Sequence, residues 1–167
     1  MTLIRRYQTT DWPMLWPILR ATFETGDSYA FSPQSSESDI HAAWIEVPLA
    51  TYVVSDAQGQ VLGTYFIKPN QPGLGSHVCN CGYVVAGAAQ RQGLASALCE
   101  HSQVEALAMG FLAMQFNLVV SSNERAHRLW RKLGFEVLAT LPRAFRHQQL
   151  GLVDAFVMFK ELDQLIK

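Results

Sequence analysis

The chain has 167 residues, which at roughly 150 residues per domain corresponds to one domain. Lys and Arg number 13 against 14 Asp and Glu, for a net charge of -1, and charged residues are 16% of the chain where about 25% is usual. That balance excludes a nucleic-acid binder working by phosphate neutralisation, the 49% apolar content excludes intrinsic disorder, and no run of about 18 apolar residues is present to span a membrane.

In chain order, residues 3–7 predict a short strand and Thr10 the N-cap of a helix, on which Trp12, Leu15, Trp16, Leu19 and Phe23 share one face until Gly26 ends it. Residues 26–34 read as a loop, and Ser36 with Asp39 forms a capping box for a short helix through Trp44. Residues 51–55 and 61–67 form a hairpin about 56–59, followed by a Pro/Gly-rich loop over 68–76 and a strand over 77–85. A long helix over 92–109 ends at Gly110, and residues 113–120 read as a buried central strand. Asn123 opens a helix with Ala126, Leu129, Trp130 and Leu133 on one face, and residues 135–140 and 152–159 are the last strands. The order β-α-α-β-β-β-α-β-α-β-β predicts a mixed α/β domain with a central sheet of about seven strands and flanking helices.

Cys79, Cys81 and Cys99 are an odd number without a second ligand pair, so buried thiols and no metal site are expected. Arg5 and Arg6 have no apolar stretch behind them, so no secretory signal is expected, and the cytoplasm is the expected location. The low charge and 11% aromatic content also fit a homodimer, because an obligate interface resembles a core cut open.

Two segments point to chemistry. Gly82-Tyr83-Val84-Val85 ends a strand and Gln90-Arg91-Gln92-Gly93-Leu94-Ala95 opens a helix, whose unpaired N–H groups suit a phosphate if small residues let it approach. On its own, a glycine and a small residue at a helix start more often serve packing. The second segment is Asn123-x-x-Ala126-x-x-Leu129-Trp130, closing on Gly134-Phe135. With Gln90-x-x-Gly93-x-Ala95 it resembles the paired motifs of the GNAT-type N-acetyltransferases, and the resemblance covers essentially the whole chain.

The resemblance implies the GNAT fold and acetyl-CoA as acyl donor. The pyrophosphate would lie on the amides of Gln90, Arg91, Gln92, Gly93, Leu94, Ala95 and Ser96, and the pantetheine beside Tyr83, Val84 and Val85, where the strand splays from its neighbour. Asn123 would reach the pantetheine from the far side, and Arg125, Arg128, Arg131 and Lys132 either attract the 3′-phosphate or form a solvated helix face. Trp130 stands where many members carry a tyrosine that protonates the CoA thiolate; an indole N–H cannot do so, and packing is its other reading.

The runs PNQPGLGSHVCNCGYVV, MQFNLVVSSN, LPRAFRH and VDAFVMFK are similar to a subgroup that acetylates the proline analogue azetidine-2-carboxylate. That likeness implies roles near the acetyl group for Asn80 and Asn117, which could otherwise tie two strands together. Asp27, Tyr29, Phe31, Tyr65, Phe66 and Phe145 would line the acceptor pocket, with Arg143 or Arg146 pairing with a carboxylate; His77, Glu24, Asp27 or a water chain would take the amine proton. The implied reaction is transfer of acetyl from acetyl-CoA to the amine of a small molecule. A protein or peptide N-acetyltransferase and a non-catalytic acyl-CoA-binding module are the competing readings; neither nucleic acid nor membrane is an expected partner.

Overall fold

The structure, a computed structural model, describes residues 2–163. Its elements are β1 (Leu3–Arg6), α1 (Trp12–Phe23), α2 (Glu37–His41), β2 (Ala50–Ser55), β3 (Val61–Pro69), β4 (Val78–Val85), α3 (Leu94–Ala108), β5 (Ala113–Val120), α4 (Glu124–Lys132), β6 (Glu136–His147) and β7 (Gly151–Glu161). Within these residues the strands form one sheet of seven in the order β1-β2-β3-β4-β5-β7-β6. Neighbours are antiparallel except β4 and β5. This is the predicted mixed α/β architecture. No helix among the described residues is long and apolar enough to cross a membrane.

Local chemistry sets most boundaries. Asp56 Oδ1 accepts from the N–H of Gln58 and of Gln60 and closes the β2–β3 turn. Ser36 and Asp39 form the expected capping box. Thr10 is not a cap; it lies inside a 3-10 turn, Thr9–Asp11, that feeds α1. Asp11 secures that turn: it accepts the Gln8 N–H at 2.8 Å and both forks of the Arg5 guanidinium at 2.8 Å, on a side chain only 3% exposed. Arg5 first, and then the Gln8 N–H, hold this carboxyl below its usual range against the opposing effect of burial. A depressed folded-state pKa contributes stability that is complete above the unfolded value of 3.8 and is lost as pH falls through the folded one. The melting temperature of the wild-type chain should therefore exceed that of Asp11→Asn near neutrality, and the gap should begin to narrow as pH falls below about 4 and shrink further through the depressed folded value; a constant gap would assign the difference to something other than this charge.

The sheet is covered on both faces. Alternation along β4 sends Cys79, Cys81 and Tyr83 into a core with Leu98 and Cys99 of α3 and Met114 and Phe116 of β5. Val84 goes to the opposite core with Leu15, Leu19 and Phe23 of α1 and with Trp44 and Phe66. Between them, Gly82 lies directly under Phe66: a Cβ there would sit 2.6 Å from the ring and 3.3 Å from Trp44. The three cysteines are free and buried.

The sheet's last strand departs from expectation. Residues 142–147, expected as a loop, belong to β6, which pairs with β7 from Glu136 to His147 across register shifts at 137–139 and 141–145. Pro142 is tolerated because β6 is an edge strand, and the backbone kinks beside it, with Arg143 at φ 54° donating its N–H to Asp154 Oδ1.

Candidate active site

The parallel ladder between β4 and β5 lasts only from Val78↔Ala113 to Cys79↔Met114, and beyond it the two strands part. Val78 C=O accepts from Asn70 N–H and Ala86 N–H donates to Leu62 C=O, both toward β3. By alternation, the main-chain groups of Cys81, Tyr83 and Val85 address the opening on the β5 side. At Tyr83 a phenol takes the place of the missing strand. The Tyr29 hydroxyl accepts from Tyr83 N–H at 2.7 Å and donates to Tyr83 C=O at 2.6 Å. Burial pushes the Tyr29 phenol well above its ordinary pKa, so it stays a neutral hydroxyl able to do both.

Two cavities meet at this opening and share Val85, Gln90, Ala95, Ser122, Asn123, Arg125 and Leu129. The smaller, about 730 Å³, is lined by Gln90, Arg91, Gly93, Leu94, Ala95 and Ser96 on one side and by Asn123, Arg125, Arg128 and Lys132 on the other. Here α3 starts at Leu94, two residues later than the sequence pattern suggests, because Arg91 and Gly93 both take positive φ, 63° and 78°. The Gln90 N–H, expected on the phosphate, is spent on Gly87 C=O; beyond it the loop from Arg91 to Ser96 borders a cavity whose wall carries Arg91, Arg125, Arg128 and Lys132 against one carboxylate, Glu124, which suits a pyrophosphate. Of the predicted phosphate run, only Gln92 is off the cavity wall. Asn123 spends its Oδ1 on the Ala126 N–H as the cap of α4, leaving its Nδ2 for a ligand carbonyl.

The larger cavity, about 1140 Å³, passes through the split from Pro17 and Ile18 of α1 to Leu129 and Trp130 of α4. Its wall carries Asp27, Tyr29, Phe31 and Phe66 together with Asn80, Tyr83, Val84, Val85, Asn117 and Trp130. Trp130 packs, with its ring centroid 5.1 Å from those of Tyr83 and of Phe116, and it also borders the cavity. Asn80 Nδ2 donates to Gln115 C=O at 2.9 Å, bridging β4 and β5 one residue past the end of their ladder. Asn117 is held at both ends, accepting from Gln115 Nε2 and donating to Asn70 Oδ1. It is exposed to the cavity rather than buried, because the split leaves this part of β5 uncovered.

Two expected pocket residues are elsewhere. Tyr65 pairs with Tyr83 in the β3–β4 register, so both side chains take the α3 face. Its hydroxyl bonds His101 Nδ1 and its ring stacks on Tyr52, which makes His101 a satisfied structural histidine. Phe145 is buried within β6, and neither it nor Arg143 nor Arg146 lines either cavity. Of the groups considered as base, Asp27 lines the larger cavity and His77 and Glu24 do not.

Sequence reasoning missed Lys68, Asn70, Gln115 and His147. Lys68 follows Phe66 in strand alternation and would have been found had the strand been extended beyond residue 67. His147 lines the cavity, and its Nδ1 accepts the N–H of Gln149 and of Leu150. Cys81 also borders the cavity, but burial, and then its hydrogen bond with Cys79, push its thiol well up, so it supplies no thiolate nucleophile.

A strand that parts from its parallel neighbour just before a glycine-bearing amide loop defines an acyl-CoA-type transferase architecture. The profile of the acetyltransferase (GNAT) family matches residues 12–135, and the chain belongs to that family. It is 34% identical over 118 residues to the N-acetyltransferase aca1 of Schizosaccharomyces pombe, a match that spans 67% of this chain and 56% of that protein's length. The solved GCN5-related N-acetyltransferase of Kribbella flavida is 37% identical with a TM-score of 0.90, over 96% of this chain and 97% of that one. The yncA protein of Salmonella typhimurium, solved with its cofactor acetyl-CoA, shares the fold at 22% identity and a TM-score of 0.84, over 98% and 95% of the two chains.

Proposed function

We propose that this chain transfers acetyl from acetyl-CoA to the amine of a small molecule, an amino acid or a proline analogue, by direct attack of the neutral amine on the thioester. The observation that carries the proposal is the pair of amides, Asn80 and Asn117, on the wall of one cavity where β4 and β5 part. The loop bearing Tyr29 and Phe31 lines the same cavity, which suits a small acceptor better than an extended peptide.

When bound, acetyl-CoA supplies the activated acetyl group; the amides of residues 91–96 would hold its pyrophosphate, and Arg125, Arg128 and Lys132 its remaining phosphate. Asn80 Oδ1 is unused among the described residues and accepts one amine N–H. In a primary amine the second N–H meets Asn117 Oδ1, which Gln115 and Asn70 fix in place; the single N–H of a cyclic secondary amine is shared between the two carboxamide oxygens. The two carboxamides thereby aim the nitrogen lone pair at the carbonyl carbon. Val85 N–H faces the split and stabilises the oxyanion that forms as the C–N bond is made. The C–S bond then breaks and CoA leaves as a thiolate, which its low basicity permits without an acid at Trp130. The acceptor's proton passes through solvent to Asp27, the one carboxylate on the larger cavity's wall among the described residues.

Thiol release from acetyl-CoA tests this with a panel of cyclic secondary amines, amino acids and peptides. Turnover with the small amines and none with the peptides is expected. The reverse would establish a peptide enzyme, and acetyl-CoA binding without release on any acceptor would establish a non-catalytic module. At the loop, Gly93→Val places a β-branched residue at φ 78° and should weaken CoA binding about tenfold, since left-handed backbone costs such residues about 1–2 kcal/mol. Unchanged affinity by calorimetry would count against this phosphate site.

A further inference from the structure

We propose that Lys68 is the residue that anchors the acceptor's carboxylate and sets the preference for it; this rests on the small-molecule reading above. Lys68 projects from β3 onto the wall of the larger cavity and pairs with Asn80 across the β3–β4 ladder. Its Nζ lies 5.4 Å from the Phe66 ring centroid, and among the described residues no carboxylate pairs with it. The cavity's other fixed cation, Arg125, is committed at the phosphate end, where its Nη1 donates to Gln90 Oε1 at 3.0 Å. The acceptor half therefore holds one half-buried ammonium with no counter-ion, seated on an aromatic ring.

Directly opposed residues of an antiparallel pair have Cβ atoms about 5 Å apart. An acceptor whose amine meets Asn80 thus presents a group only a few atoms away to Lys68, the span of a small amino or imino acid. The same pairing helps the chemistry. A neighbouring carboxylate holds an ammonium protonated, and neutralising that carboxylate with Lys68 favours the neutral amine that attacks. It also disfavours polyamines, whose second ammonium would meet Lys68.

The test measures kcat/KM with azetidine-2-carboxylate and with its uncharged carboxamide, for the wild type, Lys68→Met and Lys68→Arg. The wild type should prefer the acid by tenfold or more, as about 1.4 kcal/mol of charge-assisted binding implies. Lys68→Met should bring the ratio of the two toward one by raising KM for the acid, while Lys68→Arg keeps most of the preference and KM for acetyl-CoA stays unchanged. No wild-type preference, or an equal loss with both acceptors in Lys68→Met, overturns the anchor. If the wild type acetylates neither compound, titration with N-acetylazetidine-2-carboxylate, which has the carboxylate but no basic amine, decides separately. Tighter binding to the wild type than to Lys68→Met sustains the anchor while the catalytic reading falls, and equal or absent binding to both overturns it.

Discussion

Asn117→Ala should lower kcat about a hundredfold, or about 2.7 kcal/mol of transition-state stabilisation, the lower range for loss of one oriented polar group at a reacting centre. The expected signature is a fall in kcat with KM for acetyl-CoA unchanged and a melting temperature close to that of the wild type. Stability should hold because Asn117 is exposed to the cavity and its partners Gln115 and Asn70 regain water when it is removed. Asn80→Ala should show a comparable kinetic loss together with a stability loss of about 1 kcal/mol, because it also removes the bridge to Gln115 C=O at the end of the β4–β5 ladder. The double variant should lose less than the product of the two, since both amides orient the same nitrogen. Full activity in both single variants would remove the two residues from the reaction.

Tyr29→Phe should cost about 2 kcal/mol and lower the melting temperature by about 4–8 °C, at roughly 2–4 °C per kcal/mol for a chain of this size. The substitution keeps the ring against Phe23 and Trp44 and deletes only the oxygen that satisfies both main-chain groups of Tyr83. Amide hydrogen exchange at Tyr83 should accelerate correspondingly, because no other strand covers this edge of β4. Turnover should fall as well, through a higher KM for the acceptor, since the loop carrying Asp27 and Phe31 loses its tie to the strand. An unchanged melting temperature and unchanged protection at Tyr83 would show that the phenol is dispensable there.

The contrast between Tyr65 and Phe66 shows how far local pattern reaches. Both sit in a run of β-forming residues, and both look like pocket residues. The pattern says that they face opposite ways, but not which way each faces. The partner strand decides: Tyr65 is opposite Tyr83 and Phe66 is opposite Gly82, where only a hydrogen leaves room for the ring. Residues 142–147 fail differently. Proline, arginine and polar residues signal a loop, yet a long pairing with β7 outweighs propensity on an edge strand that can absorb kinks. The segments recognised correctly, Ser36 with Asp39, the Asp56 turn and the Asn123 cap, are those whose hydrogen bonds close within four residues.

By itself, the sequence determined the order of the elements, the amide loop around Gly93, the capping role of Asn123 and the family, because each depends on residues near one another along the chain. Only the tertiary structure decided that β4 leaves β5 after Cys79, that the Tyr29 hydroxyl fills part of the gap, and that Lys68 rather than Arg143 or Arg146 lines the larger cavity. These outcomes depend on register and on where a ladder stops. Both are set by contacts between residues as much as 54 positions apart, which no local pattern contains.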